Sequence, residues 1–347
     1  MKTRRLRKLG VLGATALAAV TLSACLQANQ GADWLGSHMI PAGTIAGQPA
    51  GYETYAGGPD LSITAETVLA MKATGQTAEL PPLLNYLEHH ESDYIDVPAA
   101  GGSPAYTDAG HVAMLIFVAR ATKTGHQFGV SALDAQLRSL QQVGGSTPGL
   151  FGLNDPSYDG VFRTALALQA LAARGATTAD PVVASGLSWM LKQQCLNGGF
   201  STDRAANPCS GLASNYQGPD TNTTAQALLA LAALHQPNGV GSPASRAMTW
   251  LKRLESPQAT WPFYPGDAPD SNSSAIVSVA LAAQGQPLSG ARWTKPGRLW
   301  PLQALLGFED TTAGANFGGY SYQAGDLPDS LSTAQVTLAL AGVPVPL

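Results

Sequence analysis

Six aspartates recur along the chain: Asp60, Asp108, Asp159, Asp220, Asp270 and Asp329, at steps of 48, 51, 61, 50 and 59 residues. Carboxylates in a repeated setting invite a catalytic reading, because paired acids hydrolyse glycosides and single acids protonate olefins. The residues that follow point elsewhere. Asp220 opens the run Thr-Asn-Thr-Thr-Ala-Gln-Ala-Leu-Leu-Ala-Leu-Ala-Ala, and Asp60, Asp270 and Asp329 share its Asp-x3-[Thr/Ser]-Ala pattern. Asp108 leads to Val112-Ala113 without the hydroxyl, and Asp159 to Thr164-Ala165 one residue late. An aspartate before an apolar helix is a natural N-cap, its carboxylate accepting from orphan N–H groups of the first turn. All six are therefore expected to be N-caps, with Asp159 and Asp270 the candidates to depart from that role. Gly75, Gly125, Gly175, Gly285 and Gly342 supply the usual left-handed stop about four turns later.

The helices so delimited are apolar on nearly every side and are expected to be fully buried. A more polar helix precedes each aspartate, five of them around Trp34, Tyr86, Trp189, Trp250 and Trp300, and the third near Leu137. Six buried helices alternating with six half-wet ones form a repeat whose units cannot bury their apolar faces alone. The expected fold is all-α, an α6/α6 toroid, a double ring of six helix-pair repeats.

Nine of the ten tyrosines fall in the connections from outer to inner helix. All connections of one kind emerge at one end of such a ring. That mouth is expected to bind any ligand, lined by Tyr55, Tyr106, Tyr158, Tyr216, Trp261, Tyr264 and Tyr322. The competing expectation is that these rings only pack loops onto helix ends. The acids Glu53, Asp96, Asp155, Asp203 and Asp267 fall on the same mouth, which keeps a two-carboxylate hydrolase open.

The N-terminus carries Lys2, Arg4, Arg5, Arg7 and Lys8, then an apolar run too short to span a membrane. Leu22-Ser23-Ala24-Cys25 closes it and resembles the lipobox of bacterial lipoproteins. That resemblance implies a signal peptide over residues 1–24, lipidation of Cys25, a tether over 25–32 and a toroid over 33–347. It places the protein outside the cytoplasmic membrane, anchored to its outer face. Removal of the leader takes five positive charges from a chain of 19 basic and 23 acidic residues, leaving −9. Such a balance, with no basic patch, excludes nucleic acid as a partner. The two remaining cysteines, Cys195 and Cys209, flank one connection of an exported chain, and a disulfide between them is expected.

Gln194-Cys195-Leu196-Asn197-Gly198-Gly199-Phe200, followed by Pro219-Asp220 and the Thr-Ala helix, resembles the repeats of the terpenoid cyclase and protein prenyltransferase superfamily. Gln258 with Trp261 and Gln142 with Phe151 are looser versions. The resemblance implies the toroid fold, with glutamine and aromatic tying neighbouring repeats. It does not carry the chemistry over. The chain has no Asp-x-Asp-Asp acid motif, no Asp, Cys and His zinc set and no Cys-Gly-Glu-Gln thioester motif, so no metal, cofactor or catalytic residue is expected. The helical domain of intrinsic factor and transcobalamin is similar in character and non-catalytic. The expected function is a membrane-anchored binder of an apolar, corrinoid or glycan ligand, with a separate partner protein able to close the mouth. The alternatives are an enzyme in the same cavity, cyclase-like lyase or carbohydrate-active hydrolase, and a protein-docking module.

Overall fold

The computed structural model describes residues 12–40, 60–99, 105–124, 128–153, 159–202, 211–212, 215–216, 218–295, 297 and 299–342. Helix α1 (Leu12–His38) is followed by α2 (Leu61–Thr74), α3 (Leu80–His89), the short α4 (Glu91–Ile95), α5 (Ala109–Thr122), α6 (Val130–Ser139) and α7 (Val161–Ala173). Then come α8 (Pro181–Lys192), α9 (Thr221–Ala233), α10 (Pro243–Leu254), α11 (Ser271–Ala283), α12 (Pro301–Leu305) and α13 (Ser330–Leu340). Two-residue antiparallel ribbons cross three of the connections, as where Trp261 pairs with Asp270.

The inner helices α2, α5, α7, α9, α11 and α13 pack each against the next, and α13 returns to α2, closing the ring. Outside them lie α3, α6, α8, α10 and α12, each on the inner helix that precedes it in the chain. The sixth outer helix is α1, which packs mainly on α13 and so joins the two ends of the chain. The α6/α6 toroid expected from the repeats is the fold observed.

The local reasons are visible in the caps. The side chains of Asp60, Asp108, Asp220, Asp270 and Asp329 each accept from an N–H two or three residues on. Asp159 does not cap α7. The extra residue in that copy puts Gly160 at the N-cap position, and Asp159 is instead buried against the backbone of Gly152. The hydroxyl of the Thr-Ala motif has a second role. Thr224, Ser274 and Thr333 accept from the N–H of Phe200, Trp261 and Tyr320 at 2.9 Å, and Thr164 from that of Phe151 at 3.3 Å. All four rings are fully buried. These four connections are thus pinned to their helices by an aromatic underneath and a hydroxyl above.

Glutamine ties one repeat to the next. The Gln194 amide donates to Gly198 O within its own connection and to Pro243 O at the start of α10, both at 2.8 Å. In the third copy that bond comes from Gln141, which reaches Val182 O, while Gln142 stays within its connection. Gly199 is required by contact: a Cβ there would sit 2.5 Å from Pro219 and 2.9 Å from the Trp250 ring.

Two expectations are corrected. The stretch 25–32 is not a free tether, because α1 runs through it, burying Ala32 and placing Ala28 in one cluster with Val336, Ala339 and Leu340 of α13. A Cβ on Gly31 would lie 2.1 Å from Thr337 Oγ1, so the first and last helices meet without room for a side chain. Trp261 does not line a mouth. It is fully buried, donates from its indole N–H to Leu251 O at 2.8 Å and packs on Trp293.

Candidate functional site

In the middle of the inner helices one register stands out. The residue directly after Thr-Ala, or its counterpart, points to the axis of the ring: Glu66, Met114, Leu166, Gln226, Ile276 and Gln335. The six share one register, six residues after the aspartate in five copies and seven after Asp159. Five of them keep partial exposure within otherwise buried helices. Together they form the floor of a cavity of about 440 Å³ that opens at the end of the ring where the inner helices start. That size suits a small-molecule ligand.

Above this floor the cavity is walled by the first turns of α2, α5, α7 and α9 and by α4. Tyr94 of α4 stacks on His111 with ring centroids 4.3 Å apart, and Tyr94 O bonds His111 Nδ1 at 2.7 Å. Ser62 makes a side-chain hydrogen bond to Tyr94, whose phenol is pushed well above its ordinary range by burial. Below the floor a smaller pocket of about 80 Å³ continues along the axis between Leu69, Phe117, Leu229, Val279 and Leu338. The axis therefore runs from polar to apolar within two helical turns.

Among the described residues two carboxyls line the larger cavity. Asp108 is buried and fully engaged: Oδ1 accepts from Gly110 N at 2.7 Å and His111 N at 3.1 Å, and Oδ2 pairs with Arg163 Nε at 2.8 Å. Glu66 is different. Its carboxyl lies inside the ring with Gln335 as hydrogen-bond partner, and burial raises its pKa from 4.5 to about 7. The Gln335 bond lowers it and the charge on Asp60 raises it, both less than burial does. Glu66 is thus a carboxylic acid able to donate or accept near neutral pH, and its partly exposed surface faces the cavity.

This cavity opens at the end of the ring where the aromatic connections were expected to form a mouth, but other side chains line it. Tyr106 and Tyr264 are half-buried and Tyr322 is 42% exposed, and none of the three lines the cavity. Tyr264 packs edge-on to Phe263, which does. Tyr55 and Tyr158 lie outside the described residues, as does the side chain of Tyr216. Glu53, Asp155 and Asp203 also fall outside them. Glu66 was missed because an acid inside a buried helix reads as one polar outlier. Its signal was the register after Thr-Ala. Cys25 is exposed on α1, Cys195 is buried at 3% exposure, and Cys209 lies outside the described residues. Among the described residues no group of three or more His, Cys, Asp or Glu is placed to hold a metal, and no helix is long and apolar enough to cross a membrane.

The profile of the squalene-hopene cyclase C-terminal domain matches residues 156–312. No curated protein matches the chain. Among solved structures, the chain is similar to an inactive variant of the α-1,6-mannanase of Salegentibacter sp. HEL1_6 in complex with α-1,6-mannotriose, at 13% identity and TM-score 0.58, over 92% of this chain and 98% of that one. It is also similar to the protein geranylgeranyltransferase-I of Candida albicans, at 12% identity and TM-score 0.55, over 81% and 83% of the two chains. The ent-copalyl diphosphate synthase of Streptomyces platensis gives 20% identity and TM-score 0.52 over 81% of this chain, which spans half the length of that enzyme. The chain has a terpenoid cyclase and prenyltransferase-like α/α toroid, a fold also shared with glycoside hydrolases.

Proposed function

We propose that the mature protein is an exported binding lipoprotein that takes a small neutral or amphipathic ligand into the cavity above Glu66 and does no chemistry on it. The observation that carries this reading is the inequality of the two carboxyls. Hydrolysis of a glycoside between two acids needs both free to act, and Asp108 is held by two N–H groups and Arg163. What remains on the floor, among the described residues, is Glu66 with two carboxamides and three apolar side chains, a few placed polar groups in an apolar concavity. Gln226 stands on α9, across the ring from α2, so a ligand on the axis meets polar groups on two sides. A separate protein closing the mouth is compatible with this arrangement.

Anchoring belongs to the same proposal. Leu22-Ser23-Ala24-Cys25 is the supporting feature, and Cys25 is exposed where α1 reaches the ring. Lipidation there places the toroid at the outer face of the membrane, with two residues between Cys25 and the first buried side chain, Ala28. Cys25→Ala should release the protein or leave its precursor uncut, and a wild type that never partitions with membrane or detergent contradicts the anchor. The Cys195–Cys209 bridge is part of the exported state. Intact mass with and without reductant should differ by two hydrogens, and two freely alkylated thiols in native material would rule it out.

The binding reading is tested by native mass spectrometry of the purified protein. A co-purifying small molecule is expected in the wild type and is expected to be absent from Leu166→Trp, which fills the floor. An empty wild type that also binds nothing from a panel of glycans, corrinoids and isoprenoid alcohols counts against it. A second reading, an enzyme with Glu66 as general acid, is favoured by the pKa near 7. It requires turnover of a glycan or isoprenoid substrate that falls as pH rises through 7 and disappears in Glu66→Gln.

A further inference from the structure

The opposite end of the ring carries its own cavity, and nothing in the binding reading uses it. It measures about 490 Å³ and is lined by the C-terminal halves of α5, α7, α9, α11 and α13, with Leu288 and Leu302. Its walls are alanine pairs in one register: Ala172-Ala173 on α7, Ala232-Ala233 on α9 and Ala282-Ala283 on α11. On α5 an arginine, Arg120, lines the same bowl. Arg120 is exposed and makes no ion pair or side-chain hydrogen bond among the described residues. Among the described residues the only charged side chain lining the bowl is therefore a cation.

Cys25 belongs to this end. Outer helices run opposite to inner ones, so each begins where an inner helix has finished. For α1 this is visible in Ala24, which packs against the cluster that holds Ala28, Ala339 and Leu340, and in Gln76, beyond the end of α2, which donates to Asn29 O at 3.3 Å and to Asp33 Oδ1 at 2.6 Å. Ala339 and Gly342 also line the bowl. A lipid on Cys25 would thus hold this mouth, and not the Glu66 mouth, against the membrane.

We propose that the bowl takes one acyl chain of an anionic membrane phospholipid, with Arg120 against its phosphate, so that the ring stands on the membrane by its far mouth. The proposal rests on the anchoring reading only for the nearness of the bilayer. An alanine-lined concavity loses water when a hydrocarbon chain enters. A guanidinium matches phosphate with two parallel N–H bonds and is drawn to an anionic leaflet. One weak lipid signal gives reversible attachment, and a second contact makes it stable. The last carbonyls of the inner helices point to the same end and disfavour an anion there, so a phosphate is drawn to the guanidinium of Arg120.

The test uses the full-length wild type in mild detergent, offered phosphatidylglycerol or phosphatidylcholine carrying a photoactivatable group at the end of one acyl chain, with cross-links located by peptide mapping. Labelling is expected on peptides that contain 172–173, 232–233 and 282–283, several-fold stronger with phosphatidylglycerol. Arg120→Glu should remove that preference. Ala282→Trp, at an exposed position in the bowl, should abolish labelling with both lipids while the melting temperature stays unchanged. Labelling spread evenly over the surface, equal labelling by both lipids, or full labelling of Ala282→Trp overturns the proposal. Labelling that appears only in Cys25→Ser means that the bowl holds the protein's own acyl chain, and the phospholipid assignment falls. If Cys25 proves unlipidated but the bowl labels as expected, the anchor reading fails and this one stands.

Discussion

The two mouths of the ring are made from the same six helices and share almost no chemistry. At the end where inner helices start, each first turn has N–H groups to satisfy, and five aspartates satisfy them. Long connections fold over that end and are pinned by hydroxyls to buried rings. At the other end the helices stop on a left-handed residue: Gly75, Gly175, Gly285 and Gly342, with His235 in the fourth copy and, in the second, Lys123 two residues before the expected Gly125. Alanines leave that mouth wide and smooth. A repeat with one chain direction therefore produces a polar, loop-built mouth and a bare apolar one, and the two can carry separate tasks.

The sharpest way to break this comparison is to remove one stop at each end. Asp220 accepts from Thr223 N at 2.7 Å, from Thr202 N at 3.1 Å and from Thr202 Oγ1 at 2.9 Å, in a site where burial raises its pKa and these bonds lower it. Asp220→Ala loses a cap and leaves buried donors unpaired, which should cost about 3 kcal/mol in chemical denaturation. Gly285, at φ 69° with open space where a Cβ would go, meets only backbone strain in Gly285→Ala, about 1 kcal/mol. Equal losses would mean that the capped end is no more tightly built than the glycine end.

Glu66 sharpens the contrast through pH. The folded protein holds the Glu66 proton up to about pH 7, whereas the unfolded chain releases it near 4.5. Between those values the native state binds more protons, so stability contributed by this site falls as pH rises from about 4.5 through 7 and is unaffected below that window. Glu66→Gln should melt like wild type near pH 4 and higher than wild type at pH 8, by roughly 1–2 kcal/mol after allowing for water in the cavity. A wild-type excess at pH 8 would show that the carboxylate is better housed than its surroundings indicate.

Much of the ring was legible because its rules are local. An aspartate, a hydroxyl four residues later, an alanine and a closing glycine state a helix with both ends, and their repetition states the toroid. Asp159 escaped because one inserted residue moves the cap to Gly160 without changing the look of the motif. The helix over 25–32 was not legible because the lipobox implies a tether after its cysteine, and only the approach of α13 to Gly31 explains that glycine. Trp261 was assigned to the mouth because it follows an outer helix in a loop. Its true equivalents are Phe151, Phe200 and Tyr320, all beneath their connections. Glu66 was hidden by a correct inference: a helix apolar all round is buried, and no periodicity in one helix tells which buried stripe faces a neighbour and which faces the axis.

The smallest effect tests whether the axis widens toward the far mouth. Leu166 is 7% exposed and belongs to the floor of the Glu66 cavity, enclosed by five other inner helices at the same level. A tryptophan there must displace its neighbours, and Leu166→Trp should cost about 1–3 kcal/mol as overpacking. Ala282 lies nearly two turns further toward the C-terminal end of its own helix, on a wall exposed within a bowl of about 490 Å³. Its indole has space and leaves no hydrogen bond broken, so Ala282→Trp should fall within about 0.5 kcal/mol of wild type, as surface substitutions do. Parallel denaturant titrations with equal slopes read the difference directly. A loss at Ala282 as large as at Leu166 would mean that the far mouth closes in solution, and that the two ends differ in residues but not in openness.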